Sequence, residues 1–225
     1  MQGIFISGTS TDVGKTHTAV LLSKALRNKN INVIPRKPVE SGCQLVDGEL
    51  VPADAKALLK AARYDGNLAE VCPYRYQPPI SPARAARLAN RTLTTDELVK
   101  ACVHDSENAF TLVEGAGGFY SPLTEDGLNA DLAMALQLPV LLVAENTLGV
   151  LNQVLLNVEA IRMRGLRLMG VVLNKRDNRQ DGHMDNAADL RERLNCAVYI
   201  QPYEADSIPR ELVDAIAAQP VCAVA

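Results

Sequence analysis

One feature constrains this chain most: an apolar segment that runs through a glycine-containing loop into a helix-forming stretch. Residues 3–8, GIFISG, have the continuous apolar character of a buried strand. They lead into GTSTDVGKT at 8–16, where glycine lets the backbone turn tightly and approach an anion. The loop amides and the N-terminus of the following helix then point at the bound phosphates. The arrangement predicts a phosphate-binding loop.

The details of the loop indicate a nucleoside triphosphate and Mg²⁺. Lys15 is expected to reach the β- and γ-phosphates, and Thr16 to place its hydroxyl on the metal. The strict pattern has glycine at position 9, where this chain has Thr9, with Gly8 one residue earlier. The GKT triplet, the strand before it and the helix after it favour a phosphate loop over an ordinary strand–helix turn.

Short apolar runs alternate with helical periodicity along the chain. We predict strands at 3–8, 31–37, 110–115, 139–145, 168–175 and 197–202. We predict helices at 16–27, 54–63, 82–90, 96–104, 129–137, 150–164, 184–194 and 208–218. Thr94 followed by Glu97 predicts a capping box for the fourth of these. Strands buried on both faces and separated by helices indicate one α/β domain over 1–225, with a doubly wound, mainly parallel sheet of about seven strands.

Composition limits the partners and the compartment. A net charge of -3, a 4% aromatic content and the absence of tryptophan argue against a nucleic-acid surface. The five cysteines are scattered without a CxxC pair, so we expect reduced thiols in a cytoplasmic protein. The first residues lack the basic region of a signal peptide, and no apolar run approaches the ~20 residues of a membrane span.

Two carboxylates are candidates for holding the metal. Glu114 ends the apolar run 110–114 and is followed by a glycine-rich turn, beside the predicted phosphate loop. Mg²⁺ prefers one or two carboxylates together with phosphate oxygens and water. Asp54 precedes the helical stretch AKALLKAA. It could instead cap that helix, and Glu114 could simply be a charged strand end, so the residues alone leave both alternatives open.

Four segments together resemble the dethiobiotin synthetase family: GTSTDVGKT (8–16), KPVESG (37–42), Asp54 and VEGAGG (113–118). The resemblance covers nearly the whole chain in the family's order. It implies a P-loop enzyme that closes a ureido ring on 7,8-diaminopelargonic acid with CO₂ and ATP, using Mg²⁺. One amine would form a carbamate, which would attack the γ-phosphate to give a carbamic–phosphoric anhydride. The second amine would displace phosphate, leaving dethiobiotin and ADP.

The resemblance assigns roles residue by residue. Lys37 is implied to neutralise the carbamate and the transferring phosphoryl group, although a strand-end lysine is by default solvent-exposed. Thr11, Lys15 and Ser41 are implied to hold the carbamate, which completes the catalytic set. The Mg²⁺ positions are Thr16, Asp54 and Glu114. The nucleotide positions are Asp12, Val13, Gly14, Lys15, Thr16, His17, Glu114, Gly117, Asn174 and Pro202, with Gly117 and Gly118 near the transferred phosphoryl group.

The segment NTLGVLNQ at 146–153 resembles the family element whose amides hold the substrate carboxylate across a homodimer interface. A helix N-terminus suits such an anion, although a plain glycine-containing cap is the alternative. The implied substrate positions are Gly149, Val150 and Asn152, with Thr11, Lys37 and Ser41. Asp12 stands where members have Glu or Gly. Gln153 and Ala83 stand where histidine is frequent, outside the phosphate chemistry, and bear on the diamine pocket.

A GTPase-like nucleotide switch is the main alternative. Asn174-Lys175-Arg176-Asp177 fits the NKxD element that recognises guanine. However, VEGAGG stands where a GTPase has DxxG, and in the synthetase family the same asparagine contacts the base. We therefore predict ATP as the working nucleotide, with GTP partly accepted and Asp177 pointing to solvent. A related P-loop ATPase with another substrate is the second alternative. It is less favoured, because Ser10 and Thr11 do not fit the KGGxGK loop of partition ATPases.

Overall fold

The structure is a computed structural model that describes residues 1–106, 108–176 and 183–218. Its strands are β1 (Gly3–Gly8), β2 (Val33–Arg36), β3 (Val39–Ser41), β4 (Gln44–Val46), β5 (Glu49–Val51), β6 (Tyr74–Tyr76), β7 (Phe110–Gly118), β8 (Val140–Glu145), β9 (Leu168–Asn174) and β10 (Val198–Gln201). Its helices are α1 (Lys15–Asn28), α2 (Ala53–Ala62), α3 (Leu68–Val71), α4 (Pro82–Leu88), α5 (Thr95–Cys102), α6 (Asn129–Leu136), α7 (Val150–Met163), α8 (Asn186–Arg193) and α9 (Arg210–Ala217).

The central sheet is parallel and has six strands in the order β10-β9-β8-β1-β7-β2. Successive side chains of a strand point to opposite faces. In β1, Phe5 packs into the core formed with α6 and α7, whereas Ile4 and Ile6 pack into the core formed with α1 and α9. Both faces are therefore covered by helices, which confirms the predicted doubly wound α/β class.

The predicted elements agree with the observed ones, with a few additions. All six predicted strands form the central sheet, which therefore has six strands rather than about seven. The additional strands are three-residue pairs: β3 with β6, and β4 with β5 around Asp47–Gly48. Such short pairs carry too little periodicity to be recognised.

The capping box predicted at the start of α5 is confirmed, because the Thr94 side chain accepts from the Glu97 amide and the Glu97 carboxylate accepts from the Thr94 amide.

The parallel arrangement decides where functional groups can meet. All six strands end at the same edge of the sheet, which is where ligands bind in open α/β folds. The phosphate loop follows β1, Lys37 follows β2, and Asn174 ends β9. A cavity of about 890 Å³ opens at this edge.

Two further features bear on the composition arguments. Among the described residues, no helix is both long and apolar enough to cross a membrane. Four of the cysteines, Cys43, Cys72, Cys102 and Cys196, are free thiols. Cys222 lies outside the described residues.

Candidate active site

The phosphate loop connects β1 to α1 through two residues with left-handed backbone conformations. Asp12 has φ 56° and Gly14, the N-cap of α1, has φ 97°. A side chain at Gly14 would collide with the carboxamide of Asn174, so glycine is required for the approach of β9 to the loop. Lys15 Nζ donates to the Ser10 carbonyl oxygen at 2.8 Å, which places the ammonium over the loop.

Lys37 is the centre of a charged cluster in which Lys37 and Glu114 are buried and Asp54 is partly exposed. Its residue is only 3% exposed, so the default expectation of a solvent-exposed lysine is wrong. Nζ lies 2.6 Å from Glu114 Oε1 and 3.2 Å from Asp54 Oδ2, and it donates to the Gly115 carbonyl oxygen at 3.0 Å. Burial disfavours the ammonium, but the two carboxylates outweigh it and raise the pKa of Lys37 above its ordinary value. The side chain therefore carries a fixed positive charge.

Lys15 behaves in the opposite way. Its burial and then the positive charge of Lys37 lower the pKa of Lys15 to about 8, although Glu114 and Asp54 partly oppose the shift. Two ammonium groups thus face one cavity, and one of them is only weakly held in its charged form. Phosphate oxygens placed between them would relieve their repulsion, so the electrostatics suit a polyanionic ligand.

Thr16, Asp54 and Glu114 lie together as predicted for a metal site. Thr16 Oγ1 donates to Glu114 Oε1 at 2.8 Å. Glu114 Oε2 is buried and has no hydrogen-bond partner among the described groups. An unsatisfied buried carboxylate oxygen beside a hydroxyl and a second carboxylate fits Mg²⁺. The described residues form no cluster of three or more acidic, histidine or cysteine side chains, so the remaining ligands would have to be phosphate oxygens or water.

Glu40 explains how Asp54 becomes available for this site. The alternative that Asp54 caps α2 is wrong: Pro52 is the N-cap and Asp54 lies in the first turn. The Glu40 carboxylate instead accepts from the amides of Asp54 and Ala55, at 3.1 and 3.0 Å. Burial and the nearby Asp54 charge raise the pKa of Glu40. Sequence reasoning missed this role, because Glu40 caps a helix that begins well beyond it in the chain.

Most other predicted nucleotide and catalytic positions line the same cavity, namely Thr11, Asp12, Gly14, His17, Ser41, Gly117 and Asn174. Asn174 Nδ2 donates to the Val13 carbonyl oxygen at 3.2 Å, and Arg176 Nη1 donates to the Asp12 carbonyl oxygen at 2.8 Å. These bonds join the end of β9 to the phosphate loop. The Val13 side chain packs into the core, and Pro202 lies next to Tyr203, which lines the cavity. Asp177 lies outside the described residues.

The predicted substrate positions at the start of α7 are not brought to this cavity within one chain. Gly149 is the N-cap of α7 with φ 90°, and open space lies where a side chain would extend from it. Val150 is fully buried in the core, whereas Asn152 is exposed. Leu148 is 89% exposed, and none of these residues lines the cavity.

The fold and the site together define a P-loop nucleotide-binding protein. A family model described as AAA domain matches residues 2–206. The chain is 38% identical over 200 residues to the ATP-dependent dethiobiotin synthetase BioD of Ruthia magnifica, covering 89% of this chain and 91% of the relative. It is 40% identical over 209 residues to the protein of the same name from Anaeromyxobacter dehalogenans strain 2CP-1, covering 92% of each. The chain belongs to the dethiobiotin synthetase family, as the sequence motifs predicted.

Solved structures that resemble the chain support the fold alone. The septum site-determining protein MinD of Pyrococcus horikoshii, complexed with Mg-ADP, has a TM-score of 0.53 at 17% identity, covering 96% of this chain and 86% of that one. The signal recognition particle receptor FtsY of Elizabethkingia anophelis, in complex with GDP, has a TM-score of 0.53 at 16% identity, covering 97% and 64%. Both comparisons agree with the observed parallel sheet.

Proposed function

We propose that the protein is an ATP- and Mg²⁺-dependent ligase that converts 7,8-diaminopelargonic acid and CO₂ to dethiobiotin, ADP and phosphate. Family membership supports the overall reaction. The observation that carries the proposal is the cluster of buried Lys37 and Glu114 with the partly exposed Asp54, joined to the phosphate loop through the hydrogen bond from Thr16 to Glu114. It concentrates fixed charge where a phosphoryl group and a carbamate would meet.

The reaction draws its nucleophiles from the substrate. One amine forms a bond to the carbon of CO₂ and loses a proton, giving a carbamate. A carbamate oxygen attacks the γ-phosphorus of ATP, and the bond to the ADP oxygen breaks. The second amine attacks the carbonyl carbon, phosphate leaves, and the ureido ring closes. No side-chain nucleophile is needed, so the contribution of the protein is positioning and charge neutralisation.

The roles of the residues follow from where they lie. Lys37 and Lys15 neutralise the carbamate and the transferring phosphoryl group, and Thr11 and Ser41, which line the same cavity, hold the carbamate. Mg²⁺ would be held by Thr16, Asp54 and Glu114, and would supply charge neutralisation of the phosphates when bound. Gly117, with φ 77°, brings the backbone of the loop after Glu114 close to the transferred group.

We propose ATP as the working nucleotide, with GTP partly accepted. The Asn174 carboxamide both donates and accepts, so it can pair with the adenine edge. Comparing kcat/KM for ATP and GTP in the wild type and in Asp177→Ala tests this choice. A strong GTP preference that disappears in the variant would overturn ATP while leaving the ring-closing reaction in place.

A cytoplasmic homodimer with the substrate site near the interface completes the proposal, with residues 1–225 as one domain. The start of α7 does not line the phosphate cavity of its own chain, so a second copy would have to bring it to a site. Exposed apolar side chains on and just before α7 support an interface there: Leu148, Leu156 and Met163.

The deciding experiment is to incubate the protein with 7,8-diaminopelargonate, bicarbonate and MgATP and to identify the product by mass. Dethiobiotin should appear in step with ADP, and the Lys37→Ala variant should form almost none.

ATP hydrolysis should be slow without the diamine, because a carbamate and not water is the nucleophile. Rapid hydrolysis without diamine or bicarbonate, and no dethiobiotin, would favour the nucleotide switch.

A further inference from the structure

Asn129 is a fully buried asparagine at the first residue of α6, directly behind the loop that follows Glu114. Its Oδ1 accepts from the Ala116 amide at 2.9 Å. Its Nδ2, which carries two hydrogens, lies within hydrogen-bonding distance of three carbonyl oxygens: Ala116 at 2.8 Å, Gly118 at 3.0 Å and Ser121 at 3.2 Å. The Asn129 amide also donates to the Ser121 carbonyl oxygen at 3.2 Å. One side chain thus forms hydrogen bonds with both ends of the 116–121 loop.

The loop that Asn129 holds is part of the phosphate cavity. Ala116, Gly117 and Ser121 line it, whereas no residue of α6 does. The Gly118 amide donates to Ser121 Oγ at 2.8 Å, which closes the loop on itself. A side chain at Gly115 would collide with the Asn129 carboxamide, so the strand and the asparagine are in close contact. Glu114 immediately precedes this contact.

We infer that Asn129 is a positioning residue for phosphoryl transfer, which holds the 116–121 loop and Glu114 in register with the phosphate loop. The inference rests on the proposed function. Asn129 does not itself line the cavity, so it acts only through the loop residues that it holds. A shift of about 1 Å in groups that surround a reacting centre can lower a rate by roughly 100-fold.

The requirement is for a carboxamide, not merely for a side chain of this size. Four backbone groups surround the Asn129 side chain: one amide, which needs an acceptor, and three carbonyl oxygens, which need donors. Aspartate has the same shape but no donor when ionised, so it would face those carbonyl oxygens with a negative charge. Alanine would remove both side-chain hydrogen bonds to Ala116, although the carbonyl oxygens of Gly118 and Ser121 would still accept from the backbone amides of Ser121 and residue 129. Both substitutions should therefore release the loop.

The test compares Asn129→Asp and Asn129→Ala with the wild-type chain. We expect kcat for dethiobiotin formation to fall roughly 10- to 100-fold, while the Kd for MgADP changes by less than about threefold, because positioning acts on the transition state. The Kd for MgADP with aluminium fluoride, which mimics the transferring phosphoryl group, should rise by about the same factor as kcat falls. This second readout does not depend on the diamine.

A control separates positioning from stability. Leu136 is a buried core residue at the other end of α6. Leu136→Ala should lower Tm, yet keep kcat within about twofold of wild type when assayed well below the transition, because a core cavity mainly affects stability. Asn129 variants with kcat equal to that of Leu136→Ala, or with unchanged aluminium fluoride affinity, would overturn the inference. A wild type that makes no dethiobiotin would overturn only the proposed function, because the aluminium fluoride comparison would still decide the role of Asn129.

Discussion

The phosphate cavity and the start of α7 lie at the same edge of the sheet, but they are built differently. In the cavity, Lys37 pairs with Glu114 at 2.6 Å and with Asp54 at 3.2 Å. At the start of α7, Gly149 faces open space and Leu148 is 89% exposed. One region is completed by the folding of a single chain. The other presents a helix N-terminus and an apolar side chain that nothing in the described part of the chain covers.

This contrast indicates which half of the proposed reaction a single chain can support. Buried opposite charges are stable only when each is paired, so the phosphate half must be assembled with the core. A helix N-terminus can bind an anion without such assembly, because its amides already point outward. We therefore expect substitutions in the cavity to affect turnover, and substitutions at α7 to affect substrate affinity alone.

The largest effect should come from Lys37→Ala. We expect kcat to fall by about 1,000-fold, because a fixed charge beside the transferring phosphoryl group is lost, while the Kd for ATP changes by less than about threefold. Lys15→Ala should also abolish turnover, but with weaker ATP binding, since Lys15 belongs to the phosphate loop. Turnover and isothermal titration calorimetry measure the two effects.

Lys56→Ala, at an exposed position on α2, is the matched control and should behave as the wild type. Because Lys37→Ala leaves Glu114 buried with fewer partners, its Tm must be measured and the assay run well below it. Near-normal turnover in Lys37→Ala would show that the cavity is not the phosphoryl-transfer site.

A smaller effect is expected from Asn152→Asp at the other region. A negative charge near the N-terminus of α7 should repel the substrate carboxylate and raise the KM for the diamine by roughly 10-fold, while the Kd for ATP stays the same. Steady-state kinetics with each substrate varied in turn measures this. Asn157→Asp, the same substitution farther along α7, shows whether the effect depends on the position of the charge. An unchanged diamine KM in Asn152→Asp would remove α7 from the substrate site.

A third prediction concerns the cap that presents Asp54 to the cavity. Glu40→Ala should lower the free energy of unfolding by about 1–2 kcal/mol, because the first amides of α2 lose their acceptor. Glu40→Gln keeps one acceptor oxygen and should lose less. Urea denaturation measures both, with Glu49→Ala on the exposed hairpin as the control. Equal stability of Glu40→Ala and wild type would argue that the cap is unimportant.

The smallest effect concerns His104, which lies away from both regions. Its Nε2 bonds to Thr111 Oγ1 at 2.7 Å, and its Nδ1 accepts from the Ser106 amide at 3.2 Å. Burial and then the charge of Arg36 lower its pKa below 6.5, so the folded state binds fewer protons than the unfolded chain. Stability should therefore fall as the pH drops below about 6.5, by a few tenths of a kcal/mol for this partly exposed group.

Replacing the histidine tests the titration. In His104→Gln, the loss of Tm between pH 7.5 and 5.5 should be smaller than in the wild type by about 1 °C. The activity of both proteins at pH 7.5 should be equal, because neither region contacts His104. A larger pH sensitivity in the variant would show that another group dominates.

The sequence predicted the central sheet, most helices and the phosphate half of the site, because periodicity and loop motifs are local signals. The strand–loop–helix at 3–16 and the glycine-rich turn after Glu114 are examples. Burial of Lys37 could not be predicted, because it depends on β2 and β7 meeting in space. The cap by Glu40 and the hydrogen bonds of Asn129 could not be predicted for the same reason. Each connects segments that are distant in the chain and share no sequence motif.

A subunit-complementation assay tests whether the active site is shared between two chains. Lys37→Ala disables the cavity, and Asn152→Asp disables the substrate end at low diamine concentration. If each site combines both regions from different subunits, a mixed dimer has one doubly altered site and one intact site. After subunit exchange, verified by native mass spectrometry, the mixture should regain about a quarter of wild-type activity, since half of the dimers are mixed and each has one working site. Activity no higher than the average of the two variants would contradict a site shared between two chains.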